Sequence, residues 1–197
     1  FPYTTLFRSK FIKSIPHIAT WDDLDYGLIS GGTNWGLKDS VFYAFDMFWP
    51  NALNKTYNYT FWDYGTYQKY SYNDIDIFLL DNRMCREDLN DPTPSLFGDT
   101  QIERLFKEIN NSGAAFTFIV SPTPFLFETD ESLINYKDHF EHFMYRLKVS
   151  GTEGIILLSG NGEETKVKKY HNDPRRVYSV SKQYRSEERR VGKECER

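Results

Sequence analysis

The sequence has few cysteines and no long apolar run. Only Cys85 and Cys195 occur among the 197 residues, too few for a cysteine-rich zinc site. The longest apolar runs, around residues 75–80 and 155–158, are far shorter than the roughly 20 residues that a membrane-spanning helix needs. Internal repeats and low-complexity stretches are absent as well. These absences leave an ordinary globular domain as the expectation.

The two ends of the sequence are related at the DNA level. One DNA segment can encode residues 1–9, and its reverse complement can encode residues 185–193. The segment resembles a common short-read sequencing adapter, and selection on a fold gives no reason for such a relation. We therefore predict that residues 1–9 and 185–197 are adapter-derived and set them aside. Residues 10–184 are then the native part, and their length fits part of one domain.

Removing the ends changes the charge of the chain. Residues 10–184 contain 18 basic and 24 acidic side chains, a net charge of −6. The basic C-terminal tail is therefore no evidence for nucleic-acid binding, and an acidic domain disfavours polyanionic partners. Cys85 remains as the one cysteine of this part, so no intrachain disulfide is expected. The chain is 40% hydrophobic and 17% aromatic, which is enough for a packed core.

Apolar periodicity predicts strands that alternate with helices. The predicted strands cover residues 15–21, 66–72, 75–80, 115–120, 155–158, 165–170 and 177–180. The predicted helices cover residues 38–49, a segment that opens with a capping box of Thr100 and Glu103, and about four turns between Leu133 and Leu147. Asn73 and Asp74 are predicted to form a two-residue hairpin turn. This order favours a layered α/β fold.

An acidic turn follows the first predicted strand. Residues 21–27 contain Asp22, Asp23 and Asp25. Buried carboxylates are costly unless a metal, a base or a hydrogen-bond network uses them. Two interpretations are therefore open. The turn caps the next helix, which is the slightly favoured reading, or its carboxylates serve a chemical site.

Polar residues also follow two other predicted strands. Asp81 and Arg83 end one strand, and Asn161 and Glu163 end another. In α/β folds ligands collect at the carboxyl ends of parallel strands. Convergence of these ends with the acidic turn would assemble oxygen donors from several loops, as a metal centre requires.

Several segments together resemble one enzyme family. The motif WDDLDYG at residues 21–27 resembles the WDDHDYG motif of the PhoD-like alkaline phosphatases, within the calcineurin-like metallophosphoesterases. Further segments resemble the family's later motifs and occur in the family's order. They are residues 38–49, 72–83, 97–101 and 158–163. The resemblance covers nearly all of residues 10–184.

The resemblance implies a fold, a reaction and a metal site. The fold would be part of a metallophosphoesterase β-sandwich flanked by helices in α-β-β-α layers, without its N-terminal part. The reaction would be metal-dependent hydrolysis of small phosphomonoesters or phosphodiesters. Two divalent or trivalent ions, such as Ca, Fe, Zn or Mn, would be held by Asp23 with Asp22 and Asp25 in support, and by Asn161 and Glu163. Family members are often exported, although this sequence assigns no compartment.

The sequence departs from the family at chemically important positions. Leu24 replaces the histidine of the first motif, while Asn161 and Glu163 replace an aspartate and a histidine. Ile29 and Ser30 replace the following Asn and Asp, and two earlier metal loops would precede residue 10. Losing a ligand or its orienting partner typically costs 10–100-fold in affinity or activity. We therefore predict that this chain is an inactive fragment. The alternatives are a catalytically dead relative kept for binding or structure, and a truncated reading frame that folds poorly alone.

Other candidate residues favour structural interpretations. His139 and His142 have a spacing that can bind metal, but they flank an apolar helical face and are expected at its solvated edge. His17 is expected in the core. Arg83 is expected to pair with Asp81 rather than to bind phosphate.

Overall fold

The computed structural model describes residues 14–49, 65–127, 129–162, 166–169 and 178–183. Both ends that we attribute to adapter DNA lie outside these ranges, as does Glu163. The domain boundaries at residues 10 and 184 therefore stay predictions.

Six strands form one mixed sheet in the described part of the chain. They are β1 (Gln68–Tyr72), β2 (Ile75–Leu79), β3 (Phe116–Ser121), β4 (Ile155–Gly162), β5 (Lys166–Lys169) and β6 (Tyr178–Gln183). Their spatial order is β1-β2-β3-β4-β6-β5. Strands β2, β3, β4 and β6 are parallel, whereas β1 and β5 pair antiparallel at the two edges. The carboxyl ends of four parallel strands thus share one edge of the sheet.

The hairpin between β1 and β2 confirms the predicted turn. Tyr72 pairs with Ile75, so Asn73 and Asp74 form the two-residue connection. Asn73 has a φ of 53°, in the left-handed region that asparagine adopts more readily than most residues.

The helices agree with the predictions in position more than in their starting residues. They are α1 (Asp23–Tyr26), α2 (Lys38–Phe48), α3 (Asp99–Asn110) and α4 (Lys137–Ser150). Thr100 lies inside the first turn of α3, whose N-cap is Gly98, so the predicted capping box is wrong. The helix predicted from Leu133 divides into a 3-10 turn, Leu133–Asn135, and α4. Helix α4 ends as predicted at Gly151, which is left-handed with a φ of 71°.

The predicted strand at residues 15–21 is wrong. Residues 16–22 have no regular structure, and His17 is exposed rather than in the core. This segment pairs with no strand of the described sheet, and an extended segment without a partner strand leaves its backbone groups without ladder hydrogen bonds. A side chain anchors this segment instead, because Thr20 Oγ1 donates to the Leu80 carbonyl at 2.9 Å and lies 2.9 Å from Thr66 Oγ1.

The main core lies between the sheet and helices α3 and α4. Phe143 on α4 is fully buried, and its ring centroid lies 5.6 to 6.3 Å from those of Phe97, Phe106 and Phe125. A second, smaller core joins α1, α2 and the segment after β2. Its buried members are Trp21, Tyr26, Phe42, Phe45 and Met84.

The predicted fold class is confirmed as an α/β sheet flanked by helices. The described strands belong to a single sheet, so the second sheet of a sandwich is not among them. No helix in the described ranges is long and apolar enough to cross a membrane.

Truncating the centre of the main core should strongly destabilise the fold. Phe143→Ala removes a ring that three other rings contact, and such changes cost about 3–5 kcal/mol. Tyr145→Ala on the same helix is the matched control, because Tyr145 is 62% exposed and its loss should change the free energy of unfolding by about 0.5 kcal/mol or less. Urea denaturation of both variants measures the difference. Equal destabilisation of the two would contradict the described core.

Candidate functional site

The acidic turn folds into a single helical turn that its own carboxylates cap. Asp22 is the N-cap of α1, and Asp25 Oδ2 accepts a hydrogen bond from the Asp22 N–H at 3.3 Å. Asp23 Oδ1 accepts from the Leu24 N–H at 2.8 Å. The turn closes at Gly27, whose φ of 86° is left-handed and whose N–H donates to the Asp23 carbonyl. The carboxylates of this segment thus cap their own helical turn, whereas the N-cap of the next predicted helix, α2, is Leu37.

A fully buried arginine connects the acidic turn to the end of β2. The Arg83 side chain is 0% exposed, and its Nη2 lies 2.5 Å from Asp22 Oδ1. The same guanidinium binds Glu131 with two nitrogens, Nη1 to Oε1 at 3.1 Å and Nη2 to Oε2 at 2.7 Å. Sequence-distant carboxylates therefore converge on one cation at the carboxyl edge of the sheet.

Arg86 extends this ionic network. Its Nη1 donates to Glu131 Oε1 at 2.6 Å, and its Nε donates to the Tyr136 hydroxyl at 2.9 Å. The Ser30 hydroxyl also donates to Glu131 Oε1, at 3.3 Å. Glu131 thus receives hydrogen bonds from two guanidinium groups and one hydroxyl.

The charges of the network shift the pKa values of its members. Burial alone would raise the pKa of Glu131, but the hydrogen bonds and charges of Arg83 and Arg86 bring it down to about 2. Burial likewise opposes the charge of Arg83, yet Glu131 and Asp22 raise the pKa of this guanidinium above its usual value. For Asp22, burial raises the pKa of the carboxyl against the opposing effect of Arg83.

Asp81 serves a separate buried network. Its Oδ1 accepts from the Arg83 and Met84 N–H groups, at 2.7 and 2.8 Å, and its Oδ2 accepts from the Thr66 N–H at 2.7 Å. A Cβ on Gly65 would lie 2.0 Å from Asp81 Oδ2, so this approach requires glycine. Arg83 therefore meets Asp81 through its backbone. The expectation that the two side chains pair is wrong, because the guanidinium binds Asp22 and Glu131.

The predicted metal ligands divide into three groups. Asp22 neutralises Arg83, while Asp23 and Asp25 bind backbone N–H groups of their own turn. Asn161 belongs to β4, at the same sheet edge as Asp81, and its side chain lies outside the described part, as does Glu163. Among the described residues no three His, Cys, Asp or Glu side chains form a cluster that could hold a metal ion. The described donors alone thus form no metal cluster, and the five metal-ligand roles stay predictions.

A cavity of about 260 Å³ lies next to the ionic network. It is formed by the loop after the acidic turn and by the segment that follows Arg83. Its lining residues include Ser30, Gly32, Trp35, Arg86 and Asp88. Ser30 and Arg86 belong to both the cavity wall and the Glu131 network, so the two features are continuous.

His139 is a buried structural histidine. Its Nδ1 accepts from the Leu96 N–H at 2.8 Å and lies 3.2 Å from Ser95 Oγ. An N–H can only donate, so Nδ1 is unprotonated and the ring proton is on Nε2, which has no partner within the described part of the protein. Burial lowers the pKa of His139 to about 4. The edge position predicted for it is wrong, whereas His142 is exposed as expected.

Sequence reasoning missed Glu131, Arg86 and Ser30. Glu131 is 48 positions from Arg83 and 101 positions from Ser30, so no local spacing connects them. The one available signal is that Asp130 and Glu131 follow the proline-rich end of β3, and turns commonly carry acids for other reasons.

Comparisons with known proteins support the fold. No protein-family model and no curated protein matches the chain. A solved structure described as "Structure of PhoD" superimposes with a TM-score of 0.65 at 16% identity. The match covers 84% of this chain and 39% of the other, so the chain spans well under half the length of that protein. This likeness shows a partial PhoD-like fold, and membership of the family stays a prediction.

Acidification should weaken the fold through His139. Between pH about 6.5 and about 4 the unfolded chain takes up a proton at this histidine that the folded chain does not, so stability falls as the pH falls through this window. The effect is on the order of 3 kcal/mol. His139→Asn places a carboxamide oxygen near Leu96 without a titrating group, and we expect it to flatten this part of the pH–stability profile.

Chemical denaturation across this pH range compares the wild type with His139→Asn and with the control His142→Asn. The control should keep the wild-type profile because His142 is exposed. An unchanged slope in His139→Asn would refute the assignment.

Proposed function

We propose that this chain is part of a PhoD-like phosphoesterase domain and that, as it stands, it does not hydrolyse phosphate esters. Two observations support the relation to that enzyme class. The fold is like the PhoD structure, and the acidic turn is bound through Arg83 to the carboxyl edge of the parallel strands, where ligands bind in α/β folds.

The proposal of inactivity rests on the ion pair between Asp22 and Arg83. Its carboxylate lies 2.5 Å from a fully buried arginine, and that cation needs the carboxylate because an unpaired buried charge is costly. Asp22 therefore holds the turn in place. Leu24, in the position of the family's histidine, is 79% exposed and offers only a hydrocarbon side chain, which can neither transfer a proton nor bind a phosphate oxygen.

Exposed apolar side chains favour a second candidate, a relative without catalysis that is kept for binding or structure. Leu24, Leu28 and Ile29 are 79%, 45% and 73% exposed in and beside the acidic turn. Clustered exposed apolar groups are typical of contact surfaces.

Turnover assays test the proposal directly. The full chain is incubated with p-nitrophenyl phosphate and with bis(p-nitrophenyl) phosphate, in separate additions of Ca²⁺, Fe³⁺, Zn²⁺ and Mn²⁺. We expect no product above the rate of buffer with the same ion. Asp46 lies on α2, outside the acidic turn, so Asp46→Asn is the control. Saturable turnover that EDTA abolishes, that Asp23→Asn loses and that Asp46→Asn keeps would overturn the proposed inactivity.

A melting experiment tests metal binding separately from turnover. An ion that binds the folded state raises the midpoint with its concentration. We expect each ion to shift the melting midpoint of the wild type by no more than it shifts the midpoint of Asp23→Asn. A concentration-dependent rise that this substitution removes would instead establish a metal site at the acidic turn.

A further inference from the structure

Two buried arginines converge on one carboxylate at the sheet edge. Arg83 is 0% exposed and Arg86 is 6% exposed, and both donate to Glu131, which is 12% exposed. Three guanidinium nitrogens lie 2.6 to 3.1 Å from the two carboxylate oxygens. The Ser30 hydroxyl supplies a further donor at 3.3 Å.

This donor set has the chemistry of an oxyanion site. The guanidinium fork matches the spacing of two oxygens on a carboxylate or a phosphate, and such paired contacts are among the strongest hydrogen bonds in proteins. All of these donors bind the carboxylate oxygens, and none contacts the rest of the Glu131 side chain in these hydrogen bonds. They recognise a planar or tetrahedral oxyanion as such, and in this chain the oxyanion is part of Glu131.

The site has an approach from solvent. Ser30 and Arg86 line the 260 Å³ cavity together with the acids Glu87 and Asp88, so the cavity borders two of the residues that bind Glu131. Ser30 is held in a left-handed conformation, with a φ of 56°. A non-glycine residue in this region is strained, and such strain clusters at binding sites.

Charge balance explains why the site is filled from within. Arg83 and Arg86 carry two positive charges, and Asp22 and Glu131 carry two negative ones. Neutralising Glu131 would leave one buried positive charge without compensation. A free anion would then regain the missing interaction.

We propose that Arg83, Arg86 and Ser30 form an oxyanion-binding site that Glu131 fills from within the chain. The site takes the carboxylate or phosphate group of a small ligand when the Glu131 side chain is removed or withdrawn. This inference does not depend on the proposed relation to phosphoesterases, because it concerns binding and involves no turnover.

Rescue of a Glu131 variant by added anions tests the site. Glu131→Ala in the full chain is melted in acetate, in inorganic phosphate and in chloride, all at the same ionic strength. We expect acetate and phosphate, each at about 100 times its Kd, to raise its midpoint relative to chloride by at least about 3 °C. The wild type should show no such difference, because Glu131 already occupies the site.

Two controls separate binding from general salt effects. Glu108 pairs with Arg104 one helical turn away on α3, at 2.9 Å, so Glu108→Ala also removes an ion-paired carboxylate and should show no rescue. The double variant Glu131→Ala/Arg86→Met should lose the rescue that Glu131→Ala shows. Equal anion effects in Glu108→Ala and Glu131→Ala would overturn the proposal.

Glu131→Ser is used if Glu131→Ala does not fold in any buffer. It also vacates the position of the Glu131 carboxylate and leaves the excess positive charge, while it keeps a small polar side chain. Its midpoint should then rise with phosphate and not with chloride. If no phosphate-specific rise occurs, the pair of arginines has only a structural role and the proposal fails.

Discussion

The buried guanidinium of Arg83 is the interaction on which the arrangement around the sheet edge depends. A charge that is removed from water must be paired, and removing one partner of a buried pair typically costs 3–5 kcal/mol. Arg83 therefore requires Asp22 on one side and Glu131 on the other. These partners bring the acidic turn and the loop before α4 to the end of β2. One cation thus binds side chains from three segments that no backbone ladder connects.

Asp81, two residues before Arg83 at the same strand end, connects its surroundings through hydrogen bonds to backbone and amide groups. Asp81 is buried. Its carboxylate accepts hydrogen bonds from the N–H of Thr66, before β1, and from the N–H groups of Arg83 and Met84, after β2. Its own N–H donates to Gln101 Oε1, and Gln101 Nε2 donates to the Asp81 carbonyl. The sheet edge is thus fixed to helix α3 by amide contacts and to the acidic turn by charge.

The contacts that the carboxylates of this edge make affect what the edge can do chemically. In α/β folds, ligands bind at the carboxyl ends of the parallel strands. Here the described carboxylates are used to neutralise arginines or to cap short backbone segments, and the exposed position at the tip of the turn is Leu24. The groups of this edge that can still bind a ligand are its arginines. Two arginines and one serine form a donor set that would bind an oxyanion if the chain did not supply its own.

Local pattern in the sequence determined the elements whose cause is local. Enrichment in aromatic and β-branched residues predicted the β1–β2 hairpin, and short apolar runs predicted β3 and β4. Helical spacing predicted α2 and the body of α4. Pattern failed at residues 15–21, because an apolar run becomes a strand only where it meets a partner strand, and no strand of the described sheet pairs with this segment. It also failed for His139, because helical spacing does not show that Ser95 and Leu96 will pack over that residue. The sequence supplied the acids of the turn and Arg83, but only the tertiary structure paired them. The contact between Arg83 and Glu131 joins positions 48 residues apart. It forms because folding removes the cation from water, and no local spacing encodes which carboxylate will reach it.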